Sequence, residues 1–209
     1  LAPETPNSEI PENFKRELSV FLQKLDRCGV TLLMVPVPLK ATVDLPPERQ
    51  SHAKTVYRQL VSLSPAHSID LLTPMKKSRN EVPSKPLFLT DSHWTNWGVT
   101  VSVNAVANHL TEQGWTLQRG RLISVGTSFS KSYANDQMNF GARLGQTLQR
   151  EVIPAFFDGA GLFGALDALM QSTKLKRNDL LVWEFPMLEF FREPNGRVLS
   201  LSDIHPQCF

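Results

Sequence analysis

The chain has 209 residues, 41% of them hydrophobic, and carries 22 Lys and Arg against 20 Asp and Glu for a formal charge of +2. That length suits one domain able to bury most of the surface its unfolded form exposes. Nucleic acid is excluded as the expected partner, because the basic residues are scattered apart from Lys76-Lys77-Ser78-Arg79 and Lys174-Leu175-Lys176-Arg177. Both runs read first as solvated surface, although a polyanionic carbohydrate could use one of them. The longest apolar run, about Val30 to Leu39, is too short to span a membrane and is interrupted by prolines. The opening at Leu1, without Met or a leader, fits prior removal of a signal peptide or anchor. Cys28 and Cys208 are too few for a disulfide framework. They could pair in an oxidising compartment, or Cys28 could be a small core residue at a helix end.

Residues 1–11 are rich in Pro, Asn and Glu and read as an extended entry segment. From Asn13 to Arg27, Phe14, Leu18, Phe21, Leu22 and Leu25 recur at three- and four-residue steps, which predicts an amphipathic helix closed by Gly29. Val30 to Val35 is a continuous apolar run bounded by Gly29 and Pro36, the pattern of a strand buried on both faces. A helix is expected from about Pro47 to Leu63. Residues 68–84 are poorly legible, with a short strand at Ile69 to Leu72 as the one element they suggest. Leu87 to Leu89 is a short apolar segment, and Thr95 to Gln113 reads as a helix with Thr95 as N-cap and Gly114 as stop. Strands at Leu122 to Val125, Val152 to Phe157 and Asp179 to Trp183 then alternate with helices near Tyr133 to Arg150 and Leu162 to Leu175. This alternation predicts an α/β fold, a mainly parallel central sheet with helices on both faces, as one domain over residues 1–209.

Reactive groups in such folds belong at the carboxyl ends of strands. Asp91-Ser92-His93-Trp94 follows the Leu87 to Leu89 segment, and Gly126-Thr127-Ser128-Phe129-Ser130 follows the strand ending at Val125. Together they hold what a serine-nucleophile acyl-transfer site requires. A serine hydroxyl needs an imidazole to take its proton, and the imidazole needs a carboxylate to fix its tautomer. The Asp-x-His spacing aims Asp91 and His93 the same way in an extended segment. Alone, the Asp91 segment reads as an ordinary turn, and the Ser128 segment reads equally as a turn or a catalytic loop; their joint placement favours Ser128 as nucleophile, His93 as base and Asp91 as its orienter.

These motifs, with Trp183-Glu184-Phe185-Pro186 and the Val35-Pro36-Val37-Pro38 run, resemble in this order those of the alginate O-acetyltransferase family typified by AlgJ and AlgX. The resemblance implies an SGNH-hydrolase-like three-layer sandwich in which the Asp-x-His pair precedes the serine. It implies the same roles for Ser128, His93 and Asp91, a periplasmic location with the possibility of an N-terminal membrane anchor, and acetylation of an exopolysaccharide such as alginate. Partners implied are the polysaccharide acceptor, a membrane-bound O-acyltransferase that supplies acetyl, and other exopolysaccharide acetylation proteins. No carbohydrate-binding module is expected within the chain, and no cofactor.

The Ser128 backbone N–H is the first choice of oxyanion donor, with the Gly159-Ala160-Gly161 loop or the Asn139 amide as the second. Asn139 falls inside an expected helix, and Gly161 reads equally as a turn. Trp94 could stack on a sugar ring. Glu184, ending a strand, could hold a loop or a sugar hydroxyl, while Trp97 is expected in the core. His52, His67, His109 and His205 show no partner pattern and are expected at the surface, with no metal site among them. A carbohydrate acetylesterase using the same triad, and a noncatalytic polysaccharide-binding component of a secretion complex, are the rival readings.

Overall fold

A computed structural model describes residues 9–44, 51–90, 93–117, 120–127, 139–157, 161–187 and 200–208. The elements in chain order are α1 (Glu12–Arg27), β1 (Thr31–Val37), α2 (Lys40–Asp44), α3 (Ser51–Leu63), α4 (Leu72–Glu81), α5 (Asn96–Glu112), β2 (Leu122–Gly126), α6 (Phe140–Leu148), β3 (Val152–Phe156), α7 (Gly161–Ser172) and β4 (Leu180–Pro186). The four strands form one all-parallel sheet in the order β1-β4-β2-β3. Every residue of β2 and β4 is buried, which is why both read as unbroken apolar runs.

The strand register assigns the helices to layers. Ser124 pairs with Val182, so these two share a face, and Trp183 points to the other. On the Trp183 face lie α1 and α7: Phe163 of α7 has its ring 6.2 Å from Trp183 and is stacked at 5.9 Å on Phe14 of α1. On the Ser124 face lies α6, whose Gly141 approaches so closely that a Cβ there would stand 3.1 Å from the Ser124 Cβ. Arg143 of α6 donates to the Asn96 carbonyl at 3.2 Å and to the Thr100 hydroxyl, tying α6 to α5. The expected three-layer α/β sandwich is therefore present.

Several boundaries differ from expectation for identifiable reasons. β1 continues through Pro36, where the sequence reading stopped it. Met34 gives its carbonyl to Ile69 N at 3.1 Å, on the side of β1 away from β4. Pro36, two residues on, turns its nitrogen to that same outer side, so no bond to β4 is lost. Pro154 is tolerated in β3 in the same way, because β3 pairs only with β2. The strand expected at Ile69 to Leu72 is a single bridge between Ser68 and Met34. From Leu72 the chain is helical, started by Asp70, which accepts from Leu72 N at 2.8 Å and takes the Thr73 hydroxyl at 2.6 Å. The helix expected over 133–150 begins at Phe140, because Asn139 is extended (φ −66°, ψ 159°) and caps it by accepting from Ala142 N at 2.7 Å. The start expected for α3 at Pro47 lies outside the described residues.

Three sets of interactions lock the amino end of the sheet and residues 200–208. Asp179 is fully buried; it accepts from Arg121 Nη2 at 2.6 Å and from Lys176 N at 2.7 Å, and the pairing raises the proton affinity of the Arg121 guanidinium. Residues 200–208 lie against α1, with Leu201 N donating to Glu17 at 3.2 Å and Lys24 Nζ donating to the Ile204 carbonyl at 3.2 Å. Cys28 and Cys208 form a disulfide with Cα atoms 5.6 Å apart, which resolves the two options the sequence left open.

Candidate active site

His93 sits in a tight hairpin rather than at the end of a sheet strand. Leu89 N donates to the His93 carbonyl at 2.6 Å and Thr95 N to the Leu87 carbonyl at 3.0 Å, and Phe88 bridges Trp94 in antiparallel fashion. The Leu87 to Leu89 segment is thus one arm of this hairpin, not a strand of the parallel sheet. Thr95 fastens the hairpin to α5 by accepting from Gly98 N at 3.0 Å while its hydroxyl donates to the Pro86 carbonyl at 2.6 Å. Gly98 is required here, since a Cβ would overlap the Leu87 carbonyl oxygen.

The hairpin belongs to the carboxyl edge of the sheet. Lys40, three residues beyond the end of β1, donates its ammonium to the Leu89 carbonyl at 2.9 Å. Sequence reasoning missed Lys40, because nothing in one dimension signals a lysine that reaches from one strand end to another loop. The His93 residue is half-buried with its Nδ1 shielded from solvent. Thr127, the last described residue before Ser128, is buried just beyond β2 at the same edge of the sheet. Asp91, Ser128, Gly159 and Ala160 lie outside the described residues.

The remaining sequence candidates are spread over core and caps. Trp94 is 5% exposed, with its ring 5.6 Å from that of Phe140 at the start of α6. Its indole is closed off from solvent and anchors the hairpin to α6, in contrast to the open stacking platform expected for it. Glu184 is 0% exposed. It stands two residues beyond Val182 on the α6 face of the central strand, so of its two expected roles burial fits holding a loop rather than meeting a sugar at the surface. The Asn139 carbonyl oxygen is occupied by the α6 cap, and Gly161 is the first residue of α7. Trp97 is half-buried, donates to the Ser78 hydroxyl at 2.9 Å and carries Lys85 Nζ 4.4 Å from its ring centroid. His67 and His109, expected at the surface, are half-buried beside Trp115, with ring centroids 6.5 and 6.0 Å from it. Burial lowers the proton affinity of His109. Among the described residues no cluster of His, Cys, Asp or Glu has the arrangement of a metal site.

A cavity of about 470 Å3 opens between α1, the start of β1 and His67. It lies at the amino end of β1, across the sheet from the His93 hairpin.

A parallel α/β sandwich with a histidine hairpin at its carboxyl edge, and with Ser128 two residues beyond its second strand in the sequence, has the outline of an SGNH-hydrolase-like domain. The family model described as SGNH hydrolase-like domain, acetyltransferase AlgX, matches residues 3–123 and 118–187, and the chain belongs to this family. Two solved structures share the fold. One is described as the O-acetyltransferase domain of Pseudomonas putida AlgJ, with TM-score 0.65 and 22% identity over 92% of this chain and 90% of that one. The other is Pseudomonas aeruginosa AlgX, with TM-score 0.67 and 16% identity over 92% of this chain and 58% of that one. No curated protein sequence matches the chain.

Proposed function

We propose that this chain is a serine-dependent O-acetyltransferase acting on hydroxyls of an exopolysaccharide such as alginate, with residues 1–209 as a single domain. The observation that carries the reading is the family match across most of the chain, together with a histidine hairpin at the carboxyl edge of the sheet, the edge at which β2 ends two residues before Ser128 in the sequence. In this reading His93 accepts the Ser128 hydroxyl proton as Oγ attacks the acetyl carbonyl of the donor. The Nδ1 of His93 is shielded from water, so the role assigned to Asp91 is to accept from Nδ1, with Nε2 left for the serine. The tetrahedral oxyanion is met by the Ser128 N–H with a second donor from the 159–161 loop or Asn139. The imidazolium returns its proton to the departing donor oxygen, leaving acetyl-Ser128. A sugar hydroxyl then loses its proton to His93 and attacks the acetyl carbonyl, and Ser128 leaves with that proton restored.

The Cys28–Cys208 disulfide supports a periplasmic setting, since such bonds persist in oxidising compartments. In that compartment the acetyl group would come from a membrane-bound O-acyltransferase, alongside other exopolysaccharide acetylation proteins. The test is turnover of a chromogenic acetyl ester with mass spectrometry of the serine. Wild type should release the chromophore and accumulate acetyl-Ser128, and Ser128→Ala and His93→Ala should each lose at least about a thousandfold in rate. Acetyl transfer to an oligosaccharide, rather than to water, separates a transferase from an esterase. An unaltered rate in Ser128→Ala would remove the catalytic reading.

A further inference from the structure

We infer that Lys40 is a positioning residue for the acyl-transfer site: its ammonium, planted just beyond the end of β1, holds the outer part of the His93 hairpin over the carboxyl edge of the sheet. Among the described residues the hairpin's own ladder ends at Leu89 and His93. Phe88 bridges Trp94, and the two bonds around that bridge run from Thr95 N to the Leu87 carbonyl and from Leu89 N to the His93 carbonyl. The Leu89 carbonyl, beyond that ladder, accepts from Lys40 Nζ at 2.9 Å, a charge-assisted bond. Leu89 therefore joins the two: its N–H grips the backbone of His93, and its carbonyl is gripped by Lys40.

Packing does not replace that tie. Phe88 and Trp94 are buried, whereas the Leu89 side chain is 41% exposed. The contacts that fasten the hairpin elsewhere, Gly98 against Leu87, the Thr95 hydroxyl on Pro86 and Trp94 on Phe140, lie at or inside the bridge. Lys40 in turn stands on fixed backbone. β1 pairs with β4 along its whole length, Thr42 and Val43 of α2 are buried, and Asp44 accepts from Arg79 Nε of α4 at 3.4 Å. Among the described residues no carboxylate pairs with Lys40 to divert it. The hairpin is thus held at two places far apart in the sheet order β1-β4-β2-β3. Lys40 fastens it to the end of β1, and Trp94 fastens it to α6, whose Gly141 and Gly145 lie against Ser124 of β2 and Val152 of β3. Without Lys40 the hairpin pivots on its α6 side, and a displacement of about 1 Å between base and nucleophile can cost about a hundredfold in rate.

The role in turnover rests on His93 acting as base in the acetyltransferase reading, whereas the tie itself does not. Two readouts on the full chain keep them apart. The first is amide hydrogen exchange followed by NMR. Lys40→Met should speed exchange at the Leu89 N–H at least about tenfold while the Thr95 N–H, at the base of the hairpin, keeps its protection. Acceleration of both amides alike, as general loss of stability would give, or of neither, would overturn the proposal. The second is turnover of a chromogenic acetyl ester. Lys40→Met should lower kcat at least about tenfold with KM within about twofold of wild type, and Lys40→Arg, which can still donate, should stay within about threefold. Lys24→Met, which removes another lysine bonded to a backbone carbonyl, that of Ile204 beside α1, should keep the wild-type kcat. An unchanged kcat in Lys40→Met, or an equal loss in Lys40→Arg or Lys24→Met, would also overturn it. A wild type without ester turnover, in which Lys40→Met still loosens Leu89 alone, would leave the tie standing and remove the transferase reading.

Discussion

His109 shows how one half-buried side chain couples the molecule to pH. Its ring meets Trp115 edge-on, its Nε2 is shielded from solvent, and burial, only partly opposed by Glu112, lowers its proton affinity below the usual value. The unfolded chain therefore takes up a proton near pH 6.5, where the folded chain still resists it. The stabilisation from the neutral ring is present above that pH and is lost as pH falls through the lowered folded value. Melting temperatures recorded at pH 7.5 and pH 5 should show a smaller acid-side drop in His109→Gln than in wild type; an identical drop would mean that His109 does not contribute. At this scale the sequence told chemistry better than environment. The Asp-x-His spacing singled out His93, but a tryptophan beside it and a glutamate at a strand end carry no mark of depth. Trp94 is interior because Phe140 at the start of α6 packs against it, and Glu184 because it lies in a central strand that is buried throughout; both coverings depend on which helix follows which strand.

Among the elements, the contact between α5 and the His93 hairpin is the one on which the candidate site depends most. Gly98 lies in the first turn of α5 directly against the Leu87 carbonyl, and Thr95 uses both its backbone and its hydroxyl in the same seam. Gly98→Ala would push the hairpin outward by steric overlap. The expected cost is about 1–3 kcal/mol of stability, read by urea denaturation. Under conditions where the variant remains folded, ester turnover should fall further than the folded fraction, because His93 moves with the hairpin. A variant with native stability and rate would show that the hairpin is not held by this contact. Elements with strong periodicity, such as α1 and α5, were legible almost to the residue. α4 was not, because its buried positions Leu72, Met75 and Ser78 are interleaved with lysines and a proline, and its start depends on Asp70 capping through Thr73. The expected β1 stops short of Pro36 while the expected β3 runs through Pro154, and both prolines are tolerated because β1 and β3 lie at the two ends of the sheet order.

At the scale of the whole molecule, the disulfide joins the C-terminus of the first helix to the last described residue of the chain, 180 positions away. Parallel strand order β1-β4-β2-β3 already forces long crossovers, so the strand pairings reward the chain only after large loops have closed. Cross-linking the two ends removes much of that freedom from the unfolded ensemble. In the chain-entropy account a loop of this length is worth about 5 kcal/mol, comparable to the entire stability of many domains. The bond also fixes residues 200–208 against α1, where Leu201 and Ile204 complete the core on the α1 face. Neither cysteine's spacing could announce this, because the pairing depends on α1 and the chain end meeting at one edge of the sheet. Dithiothreitol should therefore lower the urea midpoint of wild type substantially, and Cys28→Ser with Cys208→Ser should reproduce that lower midpoint and lose all response to the reductant. A wild-type midpoint unmoved by complete reduction, confirmed by thiol titration, would show that the packing of residues 200–208 holds without the bond. The fold would then stand equally well in a reducing compartment, and the disulfide would no longer support a periplasmic setting.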